Sequence, residues 1–298
     1  MIWAVVPTCR GFAIPVQTVE VHWILVHDRE RQPHTAPKGV EPVHIVAPDP
    51  WLYGQGSDSI RSAGFVHAYK HGGEGDIILT VDDDCVLPRD WAAQHAAALR
   101  QTVPAWTPTI PGLITRGMPQ QGLLVGISHG LWDGVPDVYA HDQTDPPQYQ
   151  RIQASPGPIT PPFPQSSMNL GFRRELTPVM YQPAQGPDTG MDRFADIWGG
   201  IMAQRLIAGR YGCWNGAAVV YHARASNREA NREKERPGLA IHDAFWKLVW
   251  SFSESWELDD AYVQLSVFLA QRWSQDAGRA YVMELTRRMR AWIREVRH

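Results

Sequence analysis

The residues with the strongest chemical signature are three adjacent carboxylates, Asp82-Asp83-Asp84, which follow the apolar run Ile77–Val81 and precede Cys85. An extended chain alternates its side chains, so Asp82 and Asp84 are expected on one side. Two carboxylates that close repel unless a cation or a ribose hydroxyl partners them. Hard oxygen donors of this kind suit Mg²⁺ or Mn²⁺, with a nucleotide diphosphate completing the shell. At the carboxyl end of a parallel strand they would face the crevice in which open α/β sheets bind ligands. The alternative is a solvated acidic turn that closes the strand and caps a helix.

Three further blocks carry chemistry. In Asp192-Arg193-Phe194-Ala195-Asp196-Ile197-Trp198, Asp196 falls in the first turn of an expected helix. It either stabilises the helix N-terminus or faces a sugar as base or hydroxyl binder. Trp198 is either core or a platform for a sugar ring. In Tyr221-His222-Ala223-Arg224, a neutral imidazole can complete a carboxylate metal site and Arg224 can hold a phosphate. The alternative for His222 is a hydrogen-bonded structural role. Ser128-His129-Gly130-Leu131-Trp132 by itself reads as a turn with an aromatic.

These blocks need elements to position them. Ile2–Val6, Trp23–Val26, Val43–Val46 and Ile77–Val81 are compact β-branched runs that read as strands buried on both faces. Ser57–Tyr69 fits a helix with Ser57 or Asp58 as N-cap, and Asp90–Gln101 fits a second one. Strand-helix-strand order implies a mainly parallel sheet covered by helices. Residues 101–165 are rich in Pro and Gly and read as long irregular loops that line a site. Ser167–Phe172 and Ala217–Tyr221 read as strands, Arg193–Ala208 as a helix. The charged stretch Arg224–Arg236 reads as a mobile connector or solvated helix. From Ala240 onward the apolar spacing is helical.

Composition bounds the rest. The chain has 298 residues, of which 44% are hydrophobic, enough for a sizeable core; the net charge of -3 excludes a wholesale polycationic nucleic-acid binder but not a local basic patch. Three cysteines exclude a disulfide scaffold and a four-cysteine zinc site. No stretch has the length of a membrane helix and the start lacks a leader pattern, so a cytoplasmic setting is expected. The 13 tryptophans are in excess, and core or ligand-stacking positions are expected for them.

Taken together and in order, the blocks resemble the reversibly glycosylated polypeptides, the UDP-arabinopyranose mutases best known from plants. The resemblance runs over residues 2–227. It rests on Val6-Pro7-Thr8 with Arg10, Asp28, Asp58-Ser59, Thr80–Cys85, Arg116-Gly117-Met118-Pro119 and Ser128–Trp132 with Pro136-Asp137. It continues through Met168–Phe172 with Arg174-Glu175-Leu176, then Arg193, Asp196, Trp198, Gly200 and Tyr221–Asn227. It implies a GT-A-type nucleotide-diphospho-sugar fold over residues 1–235, with a helical C-terminal extension over 236–298, and a divalent cation, Mn²⁺ or Mg²⁺. By the same resemblance Asp82 would meet the nucleoside, and Asp84 and His222, with Asp82, would hold the metal. Arg116 matches the arginine that is glycosylated, and Asp196 is its expected catalytic partner. Pro7, Thr8, Arg10, Asp28, Asp58, Asp83, His129, Trp132, Asn169, Trp198 and Arg224 would line the UDP-sugar site.

Two departures stand out. Gln120 and Gln121 occupy the place of a second family arginine, and Ala195 replaces one of two adjacent family carboxylates. Both bear on the mutase cycle more than on nucleotide-sugar binding. The competing activity is therefore a glycosyltransferase that passes the sugar to a small molecule, a polypeptide or a hydroxymethylated base of phage DNA. The basic residues after 223 motivate the nucleic-acid variant, although such runs usually form a solvated helix face. A non-catalytic sugar-nucleotide scaffold is a third reading. The C-terminal helices are expected to pack on the core or to join copies into a homo-oligomer.

Overall fold

The computed structural model describes residues 1–105, 120–135, 138–143, 149, 151, 155–224, 227–253 and 257–298. In chain order the strands are β1 (Ile2–Thr8), β2 (Phe12–Ala13), β3 (His22–His27), β4 (His34–Thr35), β5 (Val43–Val46), β6 (Ile77–Val81), β7 (Cys85–Val86), β8 (Thr102–Ala105), β9 (Gln120–Gly134), β10 (Gly157–Ile159), β11 (Asn169–Arg173) and β12 (Gly212–His222). The helices are α1 (Pro50–Tyr53), α2 (Arg61–His71), α3 (Trp91–Leu99), α4 (Ala195–Ile207), α5 (Arg228–Ser251), α6 (Leu258–Arg272) and α7 (Arg279–Arg297).

One mixed sheet organises them, in the order β10-β12-β9-β11-β6-β1-β3-β5. The half built from β6, β1, β3 and β5 is parallel throughout, so β1, β3 and β6 end at one edge. β11 runs against both β6 and β9, and β9 runs parallel to β12. The short β7 folds back against the end of β12 and pairs Cys85 with His222. That pairing carries the acidic turn to the histidine, 137 positions apart in sequence yet neighbours at the rim.

The alternation of β1, β3 and β6 divides the core in two. Val5, Ile24, Val26 and Ile78 face α2, α4 and the three C-terminal helices. Ala4, Val6, Leu25, Leu79 and Val81 face α3. This mixed sheet between helices, with a helical C-terminal region, is consistent with the nucleotide-sugar transferase-like α/β fold expected from the sequence.

Several local expectations need correction. β5 is not buried on both faces: it is the edge strand, with Val43 37% and Val46 48% exposed. Residues 101–165 are not all loop, because β9 alone spans 15 residues and contains Ser128–Trp132. Its polar and glycine positions disguised it. In the sheet interior Ser128 and His129 are hydrogen-bonded to His95 and Asn215 instead of facing water. Of the two readings of Arg224–Arg236 the solvated helix holds: the stretch is largely the first half of α5, capped by Asn227, whose side chain accepts from the Ala230 N–H at 3.0 Å. Pro237 inside that helix hid its continuity. The fully buried Trp91, Trp198 and Trp292 confirm a packing role for part of the tryptophan excess, and Trp292 donates to the Pro178 carbonyl at 2.9 Å.

α2 reaches the sheet at Gly64. A Cβ there would lie 2.4 Å from Val5 Cγ1 and 2.8 Å from Val26 Cγ2. Valine side chains are stiff at χ1 and cannot swing aside. Gly64→Ala gains about 1 kcal/mol of helix propensity but overpacks a closed interface, which costs about 1–3 kcal/mol. The second effect should win, and chemical denaturation should show a net loss of about 1 kcal/mol or more.

Candidate functional site

The parallel half of the sheet delivers its chemistry at the common edge of β1, β3 and β6. At the end of β1, Pro7 and Thr8 are buried, and Thr8 Oγ1 accepts from the Gly11 N–H at 3.0 Å, which bends the chain over the edge. Just past β3, Asp28 Oδ1 accepts from the Gly56 N–H at 3.1 Å. Asp28 and the Ser57–Asp58 turn are thereby joined. Inside the end of β3, His27 and His44 share a hydrogen bond of 2.8 Å, and burial first of all holds both imidazoles toward the neutral form, His44 down to about 4.

The acidic turn departs from simple alternation. β6 stops at Val81, and the Cys85 N–H closes a turn on the Asp82 carbonyl at 3.2 Å. The three carboxylates consequently point to different partners. Asp82 Oδ1 takes a hydrogen bond of 2.6 Å from Arg61. Asp83, only 3% exposed, accepts from the Cys9 N–H at 3.1 Å and from Arg10. Asp84 meets Arg10 at 3.3 Å and Arg224 at 3.8 Å. Asp83 therefore ties the chain after β1 to the turn and has both oxygens occupied, which is a scaffolding role rather than the expected contact with substrate. Arg224 stays 57% exposed, free to swing toward a ligand.

Arg61 was not singled out from the sequence. Its side chain is fully enclosed at the start of α2, beneath Asp58 and Asp82. Burial opposes its charge, but Asp82 and then Asp58 more than compensate and hold the guanidinium above its usual range. No sequence signal marks it: only the burial of the whole stretch Ser59–Val66 sets this arginine apart.

Asp84 and His222 form the other half of the rim. His222 Nδ1–H donates to the Val135 carbonyl at 2.9 Å, which leaves the Nε2 lone pair facing Asp84 Oδ1 at 3.9 Å. Asp84 Oδ1 is buried and has no hydrogen-bond partner. An orphaned carboxylate oxygen opposite an imidazole lone pair, with the tautomer fixed from behind, suits a divalent cation. Asp82 has one oxygen engaged by Arg61. Among the described residues no group of three or more His, Cys, Asp or Glu side chains is close enough to hold an ion alone. Two protein donors completed by phosphate oxygens and water is nonetheless a usual arrangement for Mg²⁺.

The remaining candidates divide. Asp196 Oδ2 accepts from the Ser167 N–H at 3.2 Å, so Asp196 borders the segment that crosses the end of β6. Beside it, Arg193 adopts a φ of 67° and pairs with Glu235 at 2.9 Å. Trp198 is enclosed: it stacks on Phe245 at 4.8 Å between ring centroids and donates to His242 at 3.1 Å, which leaves no face for a sugar ring. Asn169 is likewise internal. Its oxygen accepts from Trp91 and His95, both at 2.8 Å, and its amide donates to the carbonyls of Leu131 and Ala218. All its hydrogen-bonding capacity is used to hold β9, β11, β12 and α3 together. Gly130 is required there, since a Cβ would sit 2.1 Å from Asn169 Nδ2. His129 donates to Asn215 at 3.0 Å and accepts from the Ser166 N–H at 3.1 Å, while Trp132 is half-buried beside it. Arg116 lies outside the described residues.

A family model described as "Reversibly glycosylated polypeptide" matches residues 41–298, including all of the C-terminal helices. The chain belongs to this family. Curated relatives include the probable UDP-arabinopyranose mutase 1 of Pisum sativum, 30% identical over 196 residues, which are 57% of this chain and 52% of the relative. UDP-arabinopyranose mutase 1 of Arabidopsis thaliana is 28% identical over 224 residues, 66% of this chain and 62% of the relative. For UDP-arabinopyranose mutase 2 of the same plant the values are 27% over 245 residues, 72% and 67%. The chain thus spans about half to two thirds of the length of these relatives. Among its described residues no helix is long and apolar enough to cross a membrane. The family match extends past residue 227, where the resemblance read from the sequence stopped.

Burial, and next the charge of Asp82, push the Asp84 carboxyl above its usual range, against the pull of His222 and Arg10. Ionising Asp84 therefore costs stability, and that cost sets in as pH rises through the raised value. Without divalent cations, Asp84→Asn should melt a few degrees above the wild type at pH 7. The gap should close as pH falls into the carboxylate range. A lower melting temperature of the variant at pH 7 in EDTA would contradict this.

Proposed function

We propose that the protein binds a UDP-sugar at the carboxyl edge of β1, β3 and β6 and interconverts the pyranose and furanose forms of a UDP-pentose, with UDP-arabinopyranose the first substrate to try. The observation that carries the reading is the acidic turn after β6, set beside His222 in a chain whose family match covers residues 41–298. The names of the relatives support the substrate.

In this reading Asp82 and Asp58 accept hydroxyls of the nucleoside, and Arg10 and Arg224 face the diphosphate. Asp84 and His222 would hold Mn²⁺ or Mg²⁺. The cation supplies charge neutralisation of the departing diphosphate. Arg116 takes the anomeric carbon as the bond to the UDP oxygen breaks, and its guanidinium gives the displaced N–H proton to solvent as the new C–N bond forms and regains one when that bond breaks. As the bond from the anomeric carbon to the old ring oxygen opens and another sugar hydroxyl closes the new ring, Asp196, bordering the same segment as Asp82, is assigned to carry the proton from that hydroxyl to the released ring oxygen. Return of the UDP oxygen to the anomeric carbon restores Arg116, so the cycle is a balanced isomerisation.

The second reading is transfer to a separate acceptor. It is favoured by Gln120 and Gln121 where the family places another arginine, and by Ala195 where it places a carboxylate.

Incubation with a panel of UDP-pentoses and UDP-hexoses in Mn²⁺, followed by intact-mass and product analysis, separates these. A covalent pentose adduct and release of UDP-arabinofuranose are expected from the wild type. Arg116→Ala should lose both and still bind UDP within about threefold of wild type, since uniform binding and chemistry are separable. Neither adduct nor furanose from the wild type would reject the mutase, and sugar transfer only with an added acceptor would establish the second reading.

A further inference from the structure

We propose that Arg61 is the positioning residue of this site: it sets the orientation of Asp82 directly and steadies Asp196 through the backbone of Ser167, so that both carboxylates face a bound nucleotide sugar. The proposal rests on the UDP-sugar reading and concerns a residue that touches neither sugar nor phosphate.

The guanidinium has five N–H donors and can accept nothing. Every one is engaged. Nε donates to the Asp58 carbonyl at 3.1 Å. One terminal nitrogen donates to Thr80 Oγ1 at 2.8 Å and to the Ser167 carbonyl at 2.7 Å. The other donates to Asp82 Oδ1 at 2.6 Å and reaches Asp58 Oδ2 at 3.5 Å. The side chain is 0% exposed, whereas Asp82 and Asp58 are 31% and 40% exposed. The arginine is thus the floor, and the carboxylates are the surface a ligand meets.

Three consequences follow from this arrangement. With Oδ1 committed to Arg61, Asp82 offers its other oxygen outward, and that oxygen has no hydrogen bond among the described residues. The same contact sets a positive charge against Asp82, which offsets the repulsion between it and Asp84 two residues on. Ser167 takes Arg61 on its carbonyl and gives its N–H to Asp196 at 3.2 Å, so the fork and the carboxylate hold the same residue from both sides through the two peptide groups that flank its Cα. A lysine keeps the charge but presents a single point, and it cannot span the three chain segments of Asp58, Thr80–Asp82 and Ser167.

The test is a double-mutant cycle on UDP affinity, read by calorimetry in Mn²⁺, with kcat and KM for the UDP-sugar alongside. Arg61→Lys and Asp82→Asn should each weaken UDP binding roughly tenfold or more, the usual scale for a lost charge-assisted hydrogen bond. The double variant should be no worse than about twofold below the weaker single, because the two act through one contact. Arg61→Lys should raise KM more than it lowers kcat. Thr80→Val removes one acceptor of the fork without touching the ligand surface; it should weaken UDP binding severalfold and decides the matter if Arg61→Lys does not fold. Multiplying effects in the double variant, or Thr80→Val at wild-type affinity, would overturn the positioning role while leaving the proposed function intact. A wild type that binds no UDP would overturn both.

Discussion

Three carboxylates in one turn of chain repel one another, and the structure around the end of β6 is the means by which that repulsion is divided. The acids draw their counter-charge from different parts of the chain: Arg61 from α2 for Asp82, Arg10 from the segment after β1 shared by Asp83 and Asp84, and Arg224 near Asp84, with the His222 imidazole beside it. Only Asp84 is left under-compensated, with one buried oxygen unpartnered. Residual negative charge is thereby concentrated where a cation and a diphosphate would supply the missing partner. The sheet order serves this division, since β7 must return along β12 for His222 to stand opposite Asp84.

The wall behind the site is held from the C-terminal helices. Gln185 donates to the Tyr281 hydroxyl of α7 and accepts from the Phe194 N–H, and Arg288 of α7 donates to the Ala184 carbonyl. The segment leading to Asp192, Arg193 and Asp196 is thus pinned to α7 before it reaches the rim. Glu235 of α5, nearly fully buried, accepts from Arg193 and from the Ala140 N–H and so closes the other side. Helices far along the chain fix residues whose own local sequence would not.

What was legible in the sequence follows from this. The apolar runs of β1, β3 and β6 announce themselves because the parallel strands are covered on both faces, and the acidic turn is conspicuous because it interrupts one of them. β9 was illegible because its polar residues are satisfied inside the sheet, a fact of tertiary pairing that no window of sequence contains. Asn169 and Trp198 were visible as parts of distinctive blocks, yet distinctiveness marks demanding packing as readily as contact with a ligand. Arg61 was hidden for the opposite reason. A single arginine near a helix start is ordinary, and only burial reveals that it must find every partner within the protein.

α5 runs unbroken from Arg228 to Ser251, so one rod spans rim and core. Its first turns hold Arg193 through Glu235, and its later turns seat Phe245 against Trp198 under the sheet. Softening of the helical layer is therefore passed to the charged rim along a single element, across Pro237. The packing of Trp198 on Phe245 and the placement of Arg193 are thereby one mechanical property of the chain: loosening the distal layer displaces the charges of the rim.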